Sequence, residues 1–232
     1  MKQLIVLALL ASTYFVTAQN NQELLKHYEA FYKQMKVQGD VQGVINGLTH
    51  LNILAPSQTL KDTLAMIYVS EGKHLQALNT IGIDKKDTDS DLAVEVKGVS
   101  LKALNEPERA IVHFDELFKR NPNAAIAYEL AELNIQTNNL TEASKYTDFG
   151  INNAKEDAGK VFYDTQQPYQ VSLKAAFLYL KGLIKFNENK AENIDAAIAI
   201  FEEALLLAPN FNLVKISKDA LLSQKTKTEP KN

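Results

Sequence analysis

The chain has 232 residues, 46% of them hydrophobic, which gives it ample apolar surface to bury. It has no cysteine, and that excludes disulfides, a cysteine nucleophile and lipid attachment to an N-terminal cysteine. Twenty-five Lys and Arg against 28 Asp and Glu leave a net charge of −3, the wrong balance for a nucleic-acid ligand, which calls for a basic stripe.

Residues 1–18 read as a cleavable secretory signal peptide. Lys2 is the positive start, Leu4 to Ala11 the apolar stretch, and Val16-Thr17-Ala18 a small-residue cleavage site before Gln19. The apolar part falls short of the roughly 20 residues that span a bilayer, so an uncleaved anchor is the weaker alternative. No other stretch reads as a membrane span, and none is expected after cleavage. Processing would remove Lys2 and leave 24 basic against 28 acidic residues, a net of −4. Export without cysteines suits a periplasmic or secreted bacterial protein better than an animal extracellular one, where small domains lean on disulfides. The Val-x-Ala-Gln junction also resembles those of proteins exported by Gram-negative bacteria.

From there the chain keeps a beat. Val44, Ala77, Ala110 and Ala143 stand 33 residues apart, each five residues after Gly39, Gly72, Asn105 or Asn138. A fixed period in this range means stacked copies of one supersecondary unit. The units run over about 25–57, 58–90, 91–123 and 124–154. In the third, Leu92 to Leu101 and then Ala110, Phe114, Leu117 and Phe118 carry apolar residues at helical spacing. Asn105-Glu106-Pro107 makes the turn between them, with Pro107 suited to the start of the second helix. Small Gly98 and Ala110 allow the two helices to approach closely. Gly82 is expected to shorten the second helix of the second unit. A fifth unit, about 175–210, carries Gly182, Ala197, Phe201, Ala204 and Pro209. A helix over 212–224 is expected to cap it through Leu213, Ile216, Ala220 and Leu221, with 225–232 as a flexible tail.

These units resemble tetratricopeptide repeats. The second shows the pattern as Leu64-Ala65, Tyr68, Gly72, Ala77 and Ile81, and the fourth as Leu130-Ala131, Asn138, Ala143 and Gly150. The first is looser, with Tyr28, Phe31-Tyr32, Gly39-Asp40, Val44, Leu48 and Pro56. There are departures. Asp89 replaces the closing proline of the second unit, and Asn134 stands where the family has a large residue. Ankyrin repeats share the period of 33, but their Thr-Pro-Leu-His tetrad is absent. The resemblance covers nearly all of residues 19–224. It implies an all-α, right-handed α-solenoid of about five helical hairpins plus a C-terminal capping helix.

Between the fourth and fifth units the beat breaks. Ala143 and Ala197 are 54 residues apart, and the extra material centres on 155–170, with Phe162, Tyr163 and Tyr169. Two readings stand. Either the flanking helices are longer and the aromatics pack onto them, or the insert is a lid over a groove.

Residues for catalysis are scarce. His27, His50, His74 and His113 lie in different elements without metal-ligand spacing, and neither a phosphate-binding glycine loop nor a Gly-x-Ser-x-Gly elbow occurs. Asp87, Asp89 and Asp91 alternate as in a calcium loop, but Leu92 and Gly98 occupy the places of its turn glycine and bidentate glutamate. Asp89, Ser90 and Asp91 are better read as the cap and first turn of a helix. The chain is therefore read as non-enzymatic, with no cofactor and no metal.

In the family that these units resemble, the first helices line a concave groove through positions 2, 5, 9 and 12 of each repeat. That implies Lys26, Glu29, Lys33 and Lys36, then Thr59, Asp62, Met66 and Val69, then Leu92, Glu95, Val99 and Lys102. It continues with Ala125, Tyr128, Glu132 and Ile135, and ends with Ala176, Tyr179, Leu183 and Phe186. The groove would run from a basic mouth to an aromatic, apolar end. Tyr128, Tyr179 and Phe186 are either anchors for a partner or seals between helices. Glu29 and Lys33 stand where relatives that hold acidic peptide termini carry their Lys and Asn. The implied function is an envelope scaffold that docks a peptide or protein segment in the groove. The alternative is a structural subunit of an envelope assembly that uses its convex face or ends.

Overall fold

The computed structural model describes residues 21–228. The signal peptide expected over 1–18 and the end of the expected tail, 229–232, lie outside the described residues. The chain divides into two compact units, one up to Ser100 and one from Leu101 onward.

The first unit holds α1 (21–38), α2 (Val41–Leu54), α3 (Gln58–Ser70), α4 (His74–Ile81) and most of α5 (Asp91–Ala103). The second holds α6 (Pro107–Arg120), α7 (Ala124–Gln136), α8 (Leu140–Asn153), β1 (Gly159–Phe162), β2 (Tyr169–Ser172), α9 (Leu173–Glu188), α10 (Ile194–Leu207) and α11 (Asn212–Thr228). Helices dominate both units.

The 33-residue beat is visible in the backbone. Gly39, Gly72, Asn105 and Asn138 take left-handed φ values of 71°, 68°, 59° and 58°, a region that only Gly and Asn visit at low cost. At each, the next N–H returns five residues, from Asp40 to Met35, Lys73 to Tyr68, Glu106 to Leu101 and Asn139 to Asn134, at 2.7–3.0 Å. This is the Schellman closure, which satisfies carbonyls left open at the end of a helix. The second helix of each hairpin starts two residues after the left-handed residue, at Val41, His74, Pro107 and Leu140. In α4 the run stops at Ile81, where Gly82 takes φ 84°.

In the first unit, Val44, Ile45, Leu48 and Leu64 form one apolar cluster with Tyr32, Met35 and Ile67 around it. Ala65, Ala77, Ile81, Ala93 and Val96 form the next. The acidic stretch before α5 is structural. The Ser90 hydroxyl accepts from the N–H of Ala93 at 3.0 Å and donates to buried Asp62 at 2.6 Å. Lys97 is fully buried. Its Nζ donates to Asp89 at 2.6 Å and to the Asp84 carbonyl at 2.8 Å, which ties the α4–α5 connection to the helix. Burial works to raise the pKa of Asp89, but the bonds from Lys97 and the Lys86 N–H outweigh it and hold the carboxyl below its ordinary value. Among the described residues no group of three or more His, Asp or Glu is gathered so that it could hold a metal ion.

In the second unit consecutive helices pack in order from α6 to α11. Two expectations need correction. The insert does not lengthen its flanking helices into one another but forms an antiparallel β-hairpin, Gly159 paired with Ser172 through Phe162 with Tyr169. The N–H of Leu173 closes its base on the Ala158 carbonyl at 2.8 Å. The final helix also continues through 225–228, which had read as tail. Its buried contacts come from Phe211, Val214 and Leu221, whereas Ile216 is 56% exposed. The register differs because Phe211, one residue before the helix, is the anchor that enters the core.

Two helical glycines mark the closest helix approaches. A Cβ on Gly182 would lie 2.3 Å from the Phe201 ring, and one on Gly150 would lie 1.9 Å from the Phe177 ring. Both rings are essentially inaccessible to solvent, so neither can swing aside. Gly182→Ala and Gly150→Ala should each destabilise the second unit by about 1–3 kcal/mol, despite the helix propensity gained. Urea denaturation measures this, and a rise in stability would show that the rings yield.

Candidate interaction surface

A cluster of charged side chains in the second unit gathers on α7. Lys102, in the last turn of α5, reaches Glu129 and Glu132 on α7 and donates to both carboxylates. These residues stand three apart on α7, so they share one face of that helix. Lys160 comes to the same place from β1. Its Nζ lies 2.7 Å from Glu129 and 4.4 Å from the centroid of the Tyr128 ring. Tyr128 is 1% exposed and meets Phe177 edge-on at 5.5 Å. Its buried hydroxyl has no hydrogen-bond partner among the described residues.

The electrostatics follow from this crowding. Burial opposes the charge of Glu129, but Lys102 and Lys160 outweigh it and hold the pKa below the ordinary carboxylate value. Burial likewise opposes the charge of Lys102, and Glu129 and Glu132 outweigh it, so its pKa is raised. Burial, with Glu132 and Glu129 nearby, pushes the Tyr128 hydroxyl well up, which keeps it neutral.

Beyond Lys160 the hairpin is pinned by aromatic rings. Phe162 lies 5.9 Å from Tyr169 and 4.7 Å from Phe211, and Tyr179 of α9 lies 5.4 Å from Phe211 and 5.9 Å from Phe201. Polar contacts add to this. Asn212 donates to Asp164 at 2.8 Å, and the N–H of Leu213 donates to the Tyr169 hydroxyl at 3.4 Å. The strand alternates as a half-buried strand should. Lys160 and Phe162 turn inward, while Val161 and Tyr163 are 39% and 78% exposed. The hairpin therefore touches α7, α9 and the start of α11. Two open clefts flank its base. One, of about 360 Å³, includes Glu156, Asp157 and Pro209, and the other, of about 370 Å³, includes Pro122, Phe149 and Leu173.

The residues expected to line the groove are distributed unevenly. Lys33 and Lys36 are exposed on α1, and Glu95 is exposed on α5, all in the first unit. In the second unit the structure brings together Lys102, Glu132 and Tyr128, and it brings Tyr179 together with Phe162 and Tyr169. Tyr128 lies beneath Lys160 rather than open to a partner. Phe186 is half-buried near the end of α9, and Tyr163 faces solvent outside the aromatic cluster. Sequence reasoning missed Glu129, Lys160 and Phe211. The alternation from Lys160 to Tyr163 between Gly159 and Pro168 was a strand signal; nothing in the repeat pattern marked Glu129.

No family model and no curated protein sequence matches the chain. Solved structures do. The chain is similar to a tetratricopeptide repeat protein from Parabacteroides merdae, at 17% identity over 90% of this chain and 75% of that one, with a TM-score of 0.64. It is similar to YrrB, described as a TPR protein with an unusual peptide-binding site, at 14% identity over 89% and 97% of the two chains, with a TM-score of 0.66. It is also similar to MamA, at 18% identity over 91% and 98%, with a TM-score of 0.58. The fold is thus the all-α solenoid of tetratricopeptide helical hairpins.

Phe162→Ala should cost about 3–5 kcal/mol in a urea titration, since it empties a buried aromatic site. Tyr163→Ala should stay within about 0.5 kcal/mol; similar losses for both would refute the inward–outward assignment. The depressed pKa of Glu129 has its own signature. A carboxyl held below its unfolded value stabilises the fold above that value, here 4.5, and loses this as pH falls through the folded pKa. The stability of the unaltered chain should therefore drop more steeply below about pH 4.5 than that of Glu129→Gln. Parallel acid limbs in the two urea-midpoint profiles would count against the shift.

Proposed function

We propose that this tetratricopeptide-repeat fold serves as a non-enzymatic interaction scaffold in the bacterial cell envelope, exported through a signal peptide cleaved before Gln19. A peptide or protein segment docks on the first-helix face. The observation that carries this reading is the state of Ile135 on α7 and Leu183 and Phe186 on α9. All three lie on first helices, and all are only half-buried. Apolar and aromatic side chains held by a rigid scaffold are the usual anchors of a docked segment. YrrB, with its described peptide-binding site, lends the reading support by analogy of fold. The polar residues that do converge, Lys102, Glu129 and Lys160, satisfy one another as ion pairs. They do not set a nucleophile beside a base.

A second reading has its own observation. Leu206 and Leu207 on α10 are 82% and 50% exposed, and Val112 on α6 is 49% exposed, all on second helices. An assembly subunit that uses its outer face would cover such residues.

A photoreactive amino acid placed at Phe186 or at Leu206, one site at a time, separates the two in the source bacterium. Capture from Phe186, by a chain beginning at Gln19 in the envelope fraction, is the expected result. Capture from Leu206 alone would move the function to the outer face, and a mature chain retaining Met1 would remove the export assignment.

A further inference from the structure

Lys160 stands where the ammonium group of a ligand would stand. Its Nζ is 2.7 Å from a Glu129 oxygen and 4.4 Å over the Tyr128 ring, the pairing of carboxylate and aromatic face by which proteins recognise organic cations. The side chain arrives on an extended strand that crosses the first-helix face. Two residues on, Phe162 fills the space between Tyr169 and Phe211. A lysine and an aromatic at i and i+2 of an extended chain project to one side, which is how a bound peptide segment offers its anchors.

The charges balance only while Lys160 is in place. Glu129 and Glu132 face Lys102 and Lys160, so withdrawing Lys160 leaves one carboxylate in excess beside the ring. The site is also within reach of solvent, since the side chains of Lys160 and Glu129 keep 29% and 23% exposure. The Tyr128 hydroxyl beside it is buried and has no hydrogen-bond partner among the described residues.

We infer that Tyr128, Glu129 and Glu132 form a recognition site for a primary ammonium group, occupied in the free protein by the chain's own Lys160, and that an extended partner segment offers a lysine in its place. The inference rests on the scaffold reading only for the source of that lysine.

Lys160→Ala opens the site and leaves Phe162 against Phe211. n-Propylammonium chloride should then raise the melting temperature of this variant by about 2 °C or more beyond its effect on the unaltered chain. Sodium chloride at equal ionic strength and n-propanol are the controls. Lys160→Met keeps an apolar stem over the ring and should show no such gain. A capped peptide copying residues 160–162 should bind Lys160→Ala about tenfold more tightly than the unaltered chain in an NMR titration. Equal gains in all three proteins, equal rescue by propanol, or equal peptide binding would overturn the inference. If Phe186 captured no partner while propylammonium still rescued, only the scaffold reading would fall. Capture without rescue would sink the inference alone.

Discussion

Ala65, Ala77, Ala93, Ala110, Ala127, Ala131, Ala143 and Ala197 are all wholly inaccessible to solvent, and their methyl-sized side chains set how closely neighbouring helices approach. Close approach is what a single helical hairpin in this chain requires, because it has no other way to bury its apolar face. Gly150 and Gly182 take the same device further. At each the helix has no side chain, and a phenylalanine ring from a neighbouring helix occupies the space. The larger residues, Phe177, Phe201 and Phe211 among them, can then be fully buried. Dense packing of this kind leaves little room to change volume at either partner.

Much of this was legible because helix and turn both leave local marks. The 33-residue spacing of Gly39, Gly72, Asn105 and Asn138 names a backbone conformation, and the structure shows that conformation at all four. Pro107 and Ser90 mark helix starts for equally local reasons. The hairpin was harder to read. Its strands are four residues each, too short for alternation to stand out against the flanking helical patterns. The capping register was missed for a related cause, since the anchor Phe211 precedes the helix and helical spacing counts only from its start. Tyr128, readable as either an anchor or a seal, is closed off by Phe177 and by Lys160, 32 positions away, and no pattern within the repeat announces that lysine.

The ion pairs in this chain are of two kinds. Lys97 and Asp89 are buried in the first unit, with the ammonium also bonded to the Asp84 carbonyl, and such a pair fixes a loop because either partner alone would be costly to bury. Lys102, Glu129 and Lys160 are partly open to solvent. Pairs of this sort add little to stability individually, yet here they orient a hairpin against α7. Their value lies in placement, while the rings of Phe162 and Phe211 supply the adhesion.

The hairpin also changes how the second unit holds together. In a chain of repeats each hairpin touches only its neighbours, so the array can fray one unit at a time from its end. Here β1 is bonded to α7 through Lys160 and packed against Phe211 at the head of α11 through Phe162, two helices with the α9–α10 hairpin between them. That bond skips a unit, and it makes the end of the array harder to peel. Opening α11 away from its neighbour must also disturb the strand that bonds to α7, so α7, α9 and α11 are expected to open together as one cooperative block.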